Sequence, residues 1–202
     1  MEINVKTLNS CFNRYLSMHK RDPLSEEVLE SKSIYKGRIV NLSVNKVKLS
    51  NGYIRTREII HHSGSVAILP LLSNDNVVLV KQYRSAPGKT LLEVPAGTLE
   101  AHEVPIDCAK RELIEETVYK ANKIEKMGSY YLSPGYSNEV IHHFVAKDLH
   151  KRERNLDEDE NIEVVEINLK KVINMMKNGE IQDAKTTLSF TLYLNLITSF
   201  DL

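Results

Sequence analysis

The segment GTLEAHEVPIDCAKRELIEETVY, residues 97–119, constrains the structure of this chain more than any other part. After Pro105, which suits a first helical turn, the apolar residues recur at helical spacing and predict an α-helix. On that helix Glu112, Glu115 and Glu116 lie one turn apart and share a face. Carboxylates this close repel, at about a few tenths of a kcal/mol for each pair. They also raise one another's pKa unless a cation joins them.

Two explanations of this acidic face remain open. Mg²⁺ and Mn²⁺ prefer oxygen ligands and bridge carboxylates to substrate phosphates, which predicts a metal platform for phosphate chemistry. The alternative is a solvated acidic surface in which Arg111 pairs with Glu115 one turn away. The Pro95-Ala96-Gly97 loop before the helix and Glu103 at its start favour the metal platform.

These residues follow one long spacing pattern that resembles the Nudix box, G-x5-E-x7-R-E-U-x-E-E-x-G-U, where U is aliphatic. The matching positions are Gly97, Glu103, Arg111, Glu112, Leu113, Glu115 and Glu116. Val118 stands where the box has its last glycine, and Tyr119 replaces the aliphatic residue. Glycine would ease a left-handed helix end. Val118 therefore predicts another helix exit, such as one further helical turn, without removing a metal ligand or base.

The remaining pattern predicts a mixed α/β fold. Asn51-Gly52 predicts a hairpin within a small antiparallel unit from Tyr35 to His62. The apolar runs 65–72 and 76–83 predict buried strands. Further strands are expected near 125–132, 139–149 and 162–169, and helices near 170–177 and 184–200. With the Nudix resemblance, the expected architecture is an α/β/α sandwich with a mixed sheet over residues 63–202. An N-terminal arm and the antiparallel unit, residues 1–62, precede it.

Composition narrows the expected partners and compartment. Lys+Arg and Asp+Glu both number 27, so no basic field indicates nucleic-acid binding. No apolar run reaches the roughly 18 residues of a membrane span. The first twenty residues suit a short helix or arm better than a signal peptide. Cys11 and Cys108 have neither metal-ligand spacing nor the density of a disulfide framework. A cytoplasmic protein that binds neither nucleic acid nor membrane is expected.

Segments outside the box resemble the ADP-ribose pyrophosphatase branch of the Nudix family. They include VVLVKQYR, LLEVPAGTLE and SYYLSPGYSNEVIHHFVA, with Pro134 placed 15 residues after Tyr119. This resemblance implies metal-dependent hydrolysis of ADP-ribose to AMP and ribose 5-phosphate. Two alternatives stay open: a Nudix pyrophosphatase for another nucleoside diphosphate sugar or a dinucleotide, and a non-catalytic ADP-ribose sensor.

The resemblance also implies roles for individual residues. Glu112 and Glu116 would bind Mg²⁺, or Mn²⁺ as the alternative, together with the Ala96 carbonyl. Glu115 would bind a second ion or bridge two ions, and Arg111 would orient the glutamates. The general base would come from the acidic loop NLDEDENIEV, with Glu158 as first choice and Glu160 as second. The alternative for that loop is a solvated turn without catalytic function.

The expected substrate contacts are spread along the chain. Arg57 and Arg84 match positions that bind phosphates and the terminal ribose in relatives, although either could be a surface charge on a sheet. The adenosine and ribose pocket would include Glu93, Pro134, Gly135, Tyr136 and Glu139. The adjacent histidines His61-His62 and His142-His143 point to opposite strand faces and are expected to be structural. Relatives exchange the antiparallel unit between subunits, so a homodimer is expected.

Overall fold

The computed structural model describes residues 22–151 and 162–198. The chain forms two compact units, with the boundary between His61 and His62. The expected arm of the first twenty residues lies outside the described residues. No helix among the described residues is long and apolar enough to cross a membrane.

The first unit contains an antiparallel sheet of three strands, β1 (Glu27–Lys36), β2 (Asn41–Lys48) and β3 (Ile54–His61), in the order β1-β2-β3. The predicted hairpin joins β2 to β3, and Gly52 takes φ +87° in its turn. The sequence pattern missed β1, because every residue of that strand is exposed and its apolar side chains do not mark a buried face.

The second unit contains two sheets and three helices. The elements are β4 (Ser65–Pro70), β5 (Asn76–Arg84), β6 (Lys89–Glu93), β7 (Ala96–Thr98), α1 (Pro105–Thr117), β8 (Tyr119–Tyr131), β9 (Val140–Lys151), β10 (Ile162–Asn168), α2 (Leu169–Lys177) and α3 (Ala184–Ile197). A three-stranded antiparallel sheet has the order β10-β5-β6, and a four-stranded mixed sheet has the order β7-β4-β9-β8, in which β4 and β9 are parallel. The mixed α/β fold is confirmed.

Strand β4 separates two hydrophobic cores, because its successive side chains point to opposite faces. Val66 and Ile68 pack in one core with Leu113 of α1. Ala67 and Leu69 lie in the other core, which contains side chains of α2 and α3. All six residues of β4 are buried, which explains the nearly continuous apolar run in its sequence. Helices cover both faces of the mixed sheet.

Helix α1 ends without an extra turn, so that expectation was wrong. It stops at Thr117, and Val118 itself takes the left-handed conformation, with φ +66°, while its N–H donates to the Ile114 carbonyl. This is the backbone that glycine would adopt without a steric cost. Tyr119 follows at once in β8, where its ring is buried in the α1 core and its hydroxyl donates to Glu166 at 2.6 Å.

Candidate active site

Two glutamates of α1 are fitted against the short strand β7. Glu116 is 4% exposed, and its Oε2 accepts the Ala96 N–H at 2.9 Å. Glu112 is 8% exposed, and its carboxylate lies where a Cβ on the next residue, Gly97, would stand. The glycine that opens the sequence pattern is therefore needed for close approach. The backbone of β7 therefore binds the Glu116 carboxylate and lies against the Glu112 carboxylate.

Arg111 connects the acidic residues of α1 to the loop before it. Its guanidinium donates to Glu103 at 3.0 Å, to Glu112 at 2.7 Å and to Glu115 at 2.8 Å. The hydrogen bond from Arg111 is the main reason that the pKa of Glu103 falls to about 2. The same contact, opposed by burial and reinforced by Glu112 and Glu115, raises the pKa of Arg111. Arg111 thus contacts two of the glutamates that it is expected to orient, and the orienting role itself stays a prediction.

Glu115 differs from its two neighbours on the helix. Its side chain is 44% exposed and pairs with Arg111. In the described part of the chain, no three Asp, Glu, His or Cys side chains gather as they would around a metal ion. The donor types still suit a hard divalent cation, because two buried carboxylates stand beside a backbone segment and all are oxygen donors.

A pocket of about 240 Å³ borders β7. Its walls are formed by Ser65, Val66, Arg84, Ala96, Gly97, Thr98, Leu132, Glu139, Ile141 and Lys185. Ala96 and Gly97 thus contact the carboxylates of α1 and also line this pocket. A ligand held there would lie next to the acidic helix.

The cationic side of the pocket depends on a buried ion pair. Arg84 donates Nε–H and Nη2–H to the two oxygens of Glu93, at 2.9 and 2.7 Å. Glu93 was expected to contact the adenosine or ribose, but it is 1% exposed and binds Arg84 and Lys185 instead. Sequence reasoning missed Lys185, because its partner Glu93 is 92 residues away and no local pattern marks the pair.

The opposite side of the pocket is polar and acidic. Ser65 donates its hydroxyl to Glu139 at 2.8 Å, so the predicted residue Glu139 does line the pocket. Pro134 and Gly135 form the turn between Leu132 and Glu139, closed by hydrogen bonds of Tyr136 and Ser137 to the Ser133 carbonyl. That turn shapes the pocket wall through its two ends.

Three other predicted residues do not belong to the described part of the second unit. Arg57 belongs to the first unit, where it pairs with Glu26 at 2.5 Å, and its substrate contact stays a prediction. Glu158 and Glu160 lie outside the described residues. His142 and His143 point to opposite faces of β9, as expected. His142 hydrogen-bonds Ser129, and His143 is buried and hydrogen-bonds Ser189.

Comparison with known proteins assigns this arrangement to a family. The NUDIX domain profile matches residues 61–190, which contain β7, α1 and the pocket. The chain belongs to the NUDIX family. It is therefore a Nudix hydrolase, and such enzymes generally use divalent metal ions.

Several known proteins resemble this Nudix hydrolase over most of its length. An ADP-ribose pyrophosphatase of Bacillus subtilis is 39% identical over 86% of this chain and 94% of its own length. A methanol dehydrogenase activator of Bacillus methanolicus is 40% identical over 85% and 93%. A solved structure described as an ADP compounds hydrolase superposes with a TM-score of 0.77 at 20% identity, covering 88% of this chain and 97% of its own. At that identity, the structural match supports the fold alone.

Proposed function

We propose that this Nudix hydrolase cleaves the diphosphate bond of ADP-ribose, giving AMP and ribose 5-phosphate. The observation that carries the proposal is the position of β7. One backbone segment, Ala96-Gly97, contacts the carboxylates of Glu112 and Glu116 and lines a pocket with an arginine in its wall. A diphosphate in that pocket would reach acidic metal ligands and a cation together. The similarity to an ADP-ribose pyrophosphatase supports the choice of substrate.

In the proposed mechanism, Glu112 and Glu116 would hold Mg²⁺, or Mn²⁺ as the alternative, with the Ala96 carbonyl, and Glu115 would bind a second ion or bridge two ions. Such an ion, when bound, would supply positive charge to the diphosphate and make a nearby water more acidic. The chain itself would bind and orient the substrate. Arg84 is suited to phosphate oxygens by its planar fork, and Glu139 would accept a sugar hydroxyl. Glu158 or Glu160 would take the proton of the attacking water.

A coupled assay tests this function. The protein is incubated with Mg²⁺, an alkaline phosphatase and either ADP-ribose, another nucleoside diphosphate sugar or a dinucleotide, and free phosphate is measured. The intact diphosphates have no terminal phosphate for the phosphatase, whereas AMP and ribose 5-phosphate do. ADP-ribose is expected to release phosphate fastest. In a separate reaction without the phosphatase, which EDTA would itself inactivate, EDTA is expected to stop the formation of AMP, measured by chromatography. A protein that binds ADP-ribose without releasing phosphate would be a sensor.

The similarity to a methanol dehydrogenase activator favours a second candidate function, in which this protein alters the activity of another enzyme. A methanol dehydrogenase assayed with wild type and with Glu116→Gln would separate the two. Activation that survives in a variant unable to hydrolyse ADP-ribose would indicate regulation by binding.

We further infer a cytoplasmic homodimer. Closed symmetric dimers are the commonest oligomers. The first unit also exposes large apolar side chains, among them Val28, Ile34 and Tyr35. The low cysteine content favours a reducing compartment. Light scattering on the eluting protein would measure the oligomeric state directly.

A further inference from the structure

A chain of ion pairs lies behind the pocket and joins it to the start of α3. Lys185, in the first turn of α3, bonds Glu93 and also pairs with Asp183 at 3.0 Å. Glu93 in turn holds Arg84 through two hydrogen bonds. Successive contacts therefore connect the start of α3 to the pocket wall, in the order Asp183, Lys185, Glu93 and Arg84.

Glu93 is almost inaccessible to a ligand. Its carboxylate is buried; Oε1 accepts a hydrogen bond from Arg84, and Oε2 accepts hydrogen bonds from Arg84 and Lys185. Burial would raise the pKa of Glu93, but the hydrogen bonds and charges of these two cations outweigh it and the pKa is lowered. Glu93 is therefore a fixed anion that can influence the pocket only through the groups it holds.

Arg84 is oriented by this anion. Its Nε and Nη2 atoms are committed to Glu93, and no hydrogen bond from Nη1 to any described residue is found. The side chain is 39% exposed and lines the pocket. A bidentate pair fixes the plane of a guanidinium, so Glu93 determines where the remaining N–H groups of Arg84 can meet a phosphate.

A second contact joins the start of α3 to the end of β6, the strand that ends at Glu93. Asp183 caps the helix by accepting the Thr186 N–H at 2.9 Å. The Thr186 hydroxyl oxygen accepts the Val94 N–H, also at 2.9 Å, one residue after Glu93. Lys185 itself is poorly placed for helix stability, because a cation in the first turn opposes the helix dipole. Its position is better explained by its contact with Glu93.

We infer that Lys185 is a positioning residue for the substrate's diphosphate, acting through Glu93 to fix the guanidinium of Arg84. The inference rests on the proposed diphosphate hydrolysis and adds a residue of α3 to the machinery of that site. Lys185 lines the pocket, but only 13% of its side chain is exposed and two of its donors are already committed. Its effect on substrate is thus transmitted through Arg84.

Steady-state kinetics of Lys185→Met with ADP-ribose test the inference. If Arg84 stabilises the bound substrate and the transition state equally, disturbing its orientation raises KM and leaves kcat nearly unchanged. We expect KM to rise about tenfold and kcat to change less than about threefold. Lys185→Arg, which keeps a cation against Glu93, is expected to recover most of the loss. Lys89→Met is the matched control: Lys89 bonds Gln182, just before the same helix, and its loss should leave KM unchanged.

A double-mutant cycle with Arg84→Met identifies the route. If Lys185 acts through Arg84, the double variant has the same KM as Arg84→Met alone. If the KM increases of Lys185→Met and Arg84→Met multiply in the double variant, the two residues act independently and the inference is overturned. A KM in Lys185→Met equal to that of the wild type would also overturn it. Should Lys185→Met not fold, Lys185→Gln replaces it. Glutamine keeps a neutral donor for Glu93 but removes the charge, so KM is still expected to rise, and a parent KM in that variant overturns the inference.

The same experiment separates this inference from the proposed function. A wild-type protein that hydrolyses no diphosphate in the substrate panel overturns both. A wild type that hydrolyses ADP-ribose, with Lys185→Met at the parent KM, overturns the role of Lys185 alone. A wild type that hydrolyses only another nucleoside diphosphate sugar overturns the choice of ADP-ribose, and the role of Lys185 is then measured with that substrate.

Discussion

Gly97 and Glu112 are in direct contact: the carboxylate of the glutamate occupies the place that a side chain on the glycine would need. The obstructing atoms belong to a buried carboxylate of a packed helix, so they have little room to move. Sequence pattern and geometry agree here, because a residue with a Cβ at position 97 cannot coexist with Glu112 in this position.

Gly97→Ala is therefore expected to displace Glu112 and to weaken both the fold and divalent-ion binding. Overpacking of this kind typically costs about 1–3 kcal/mol. Urea unfolding would measure the stability, and calorimetric titration with Mn²⁺ would measure the metal affinity. For stability, Gly135→Ala is the matched control, because its Cβ would meet no atom within 4 Å. Equal metal affinity in Gly97→Ala and wild type would contradict the predicted role of Glu112.

Glu116→Gln is expected to abolish most hydrolysis while the protein stays folded. The amide oxygen can still accept the Ala96 N–H, so the structural contact is retained. The charge that would bind the cation is lost, and a fall in kcat of about a hundredfold or more is expected, equivalent to several kcal/mol. The coupled phosphate assay measures this loss. Glu125→Gln serves as control, since Glu125 is an exposed residue of β8 that pairs with Lys147. Parent activity in Glu116→Gln would remove Glu116 from the metal site.

The parts of the fold predicted from sequence were those with a local signal. The helix of residues 105–117 and the buried strands β4 and β5 follow from periodicity and apolar runs. β8 begins at Tyr119, six residues earlier than expected, because its polar first half, YKANKIEK, resembles a loop. Periodicity carries no information about contacts between distant residues. The pairing of Glu93 with Lys185 therefore had no sequence signal, although Asp183 before a helical segment could have marked the start of α3.

Val118→Gly tests the cost of the left-handed helix end. An L-residue in this conformation costs roughly 1–2 kcal/mol that glycine does not pay. Val118 also packs partly against the α1 core, so its removal loses some hydrophobic contact. Val164 is the matched control, because it is partly buried in the same core and lies in the regular strand β10. We expect Val118→Gly to destabilise the protein by about 1–2 kcal/mol less than Val164→Gly in urea unfolding. Equal losses would mean that Val118 is not strained.

Because His143 is buried, we expect the protein to lose stability in mild acid. Its ring is fully buried, its Nδ1 pairs with Ser189, and burial lowers the pKa of His143 to about 4. Asp183 opposes this shift, whereas His142 and Lys185 add to it. The unfolded chain then binds the proton more readily than the fold, because an unfolded histidine has a pKa near 6.5. Stability from this residue is present above about pH 6.5 and is lost as the pH falls toward 4.

The expected loss across that pH range is about 3 kcal/mol at most, from the difference between the two pKa values. Urea unfolding of wild type and His143→Asn at several pH values between 7 and 4 would measure it, because asparagine can replace Nδ1 but does not titrate. The difference in unfolding free energy between the two proteins should shrink as the pH falls. His150→Asn is the control, since His150 lies in the same strand, β9, and is exposed. A constant difference between wild type and His143→Asn would show that His143 does not lose a proton on folding.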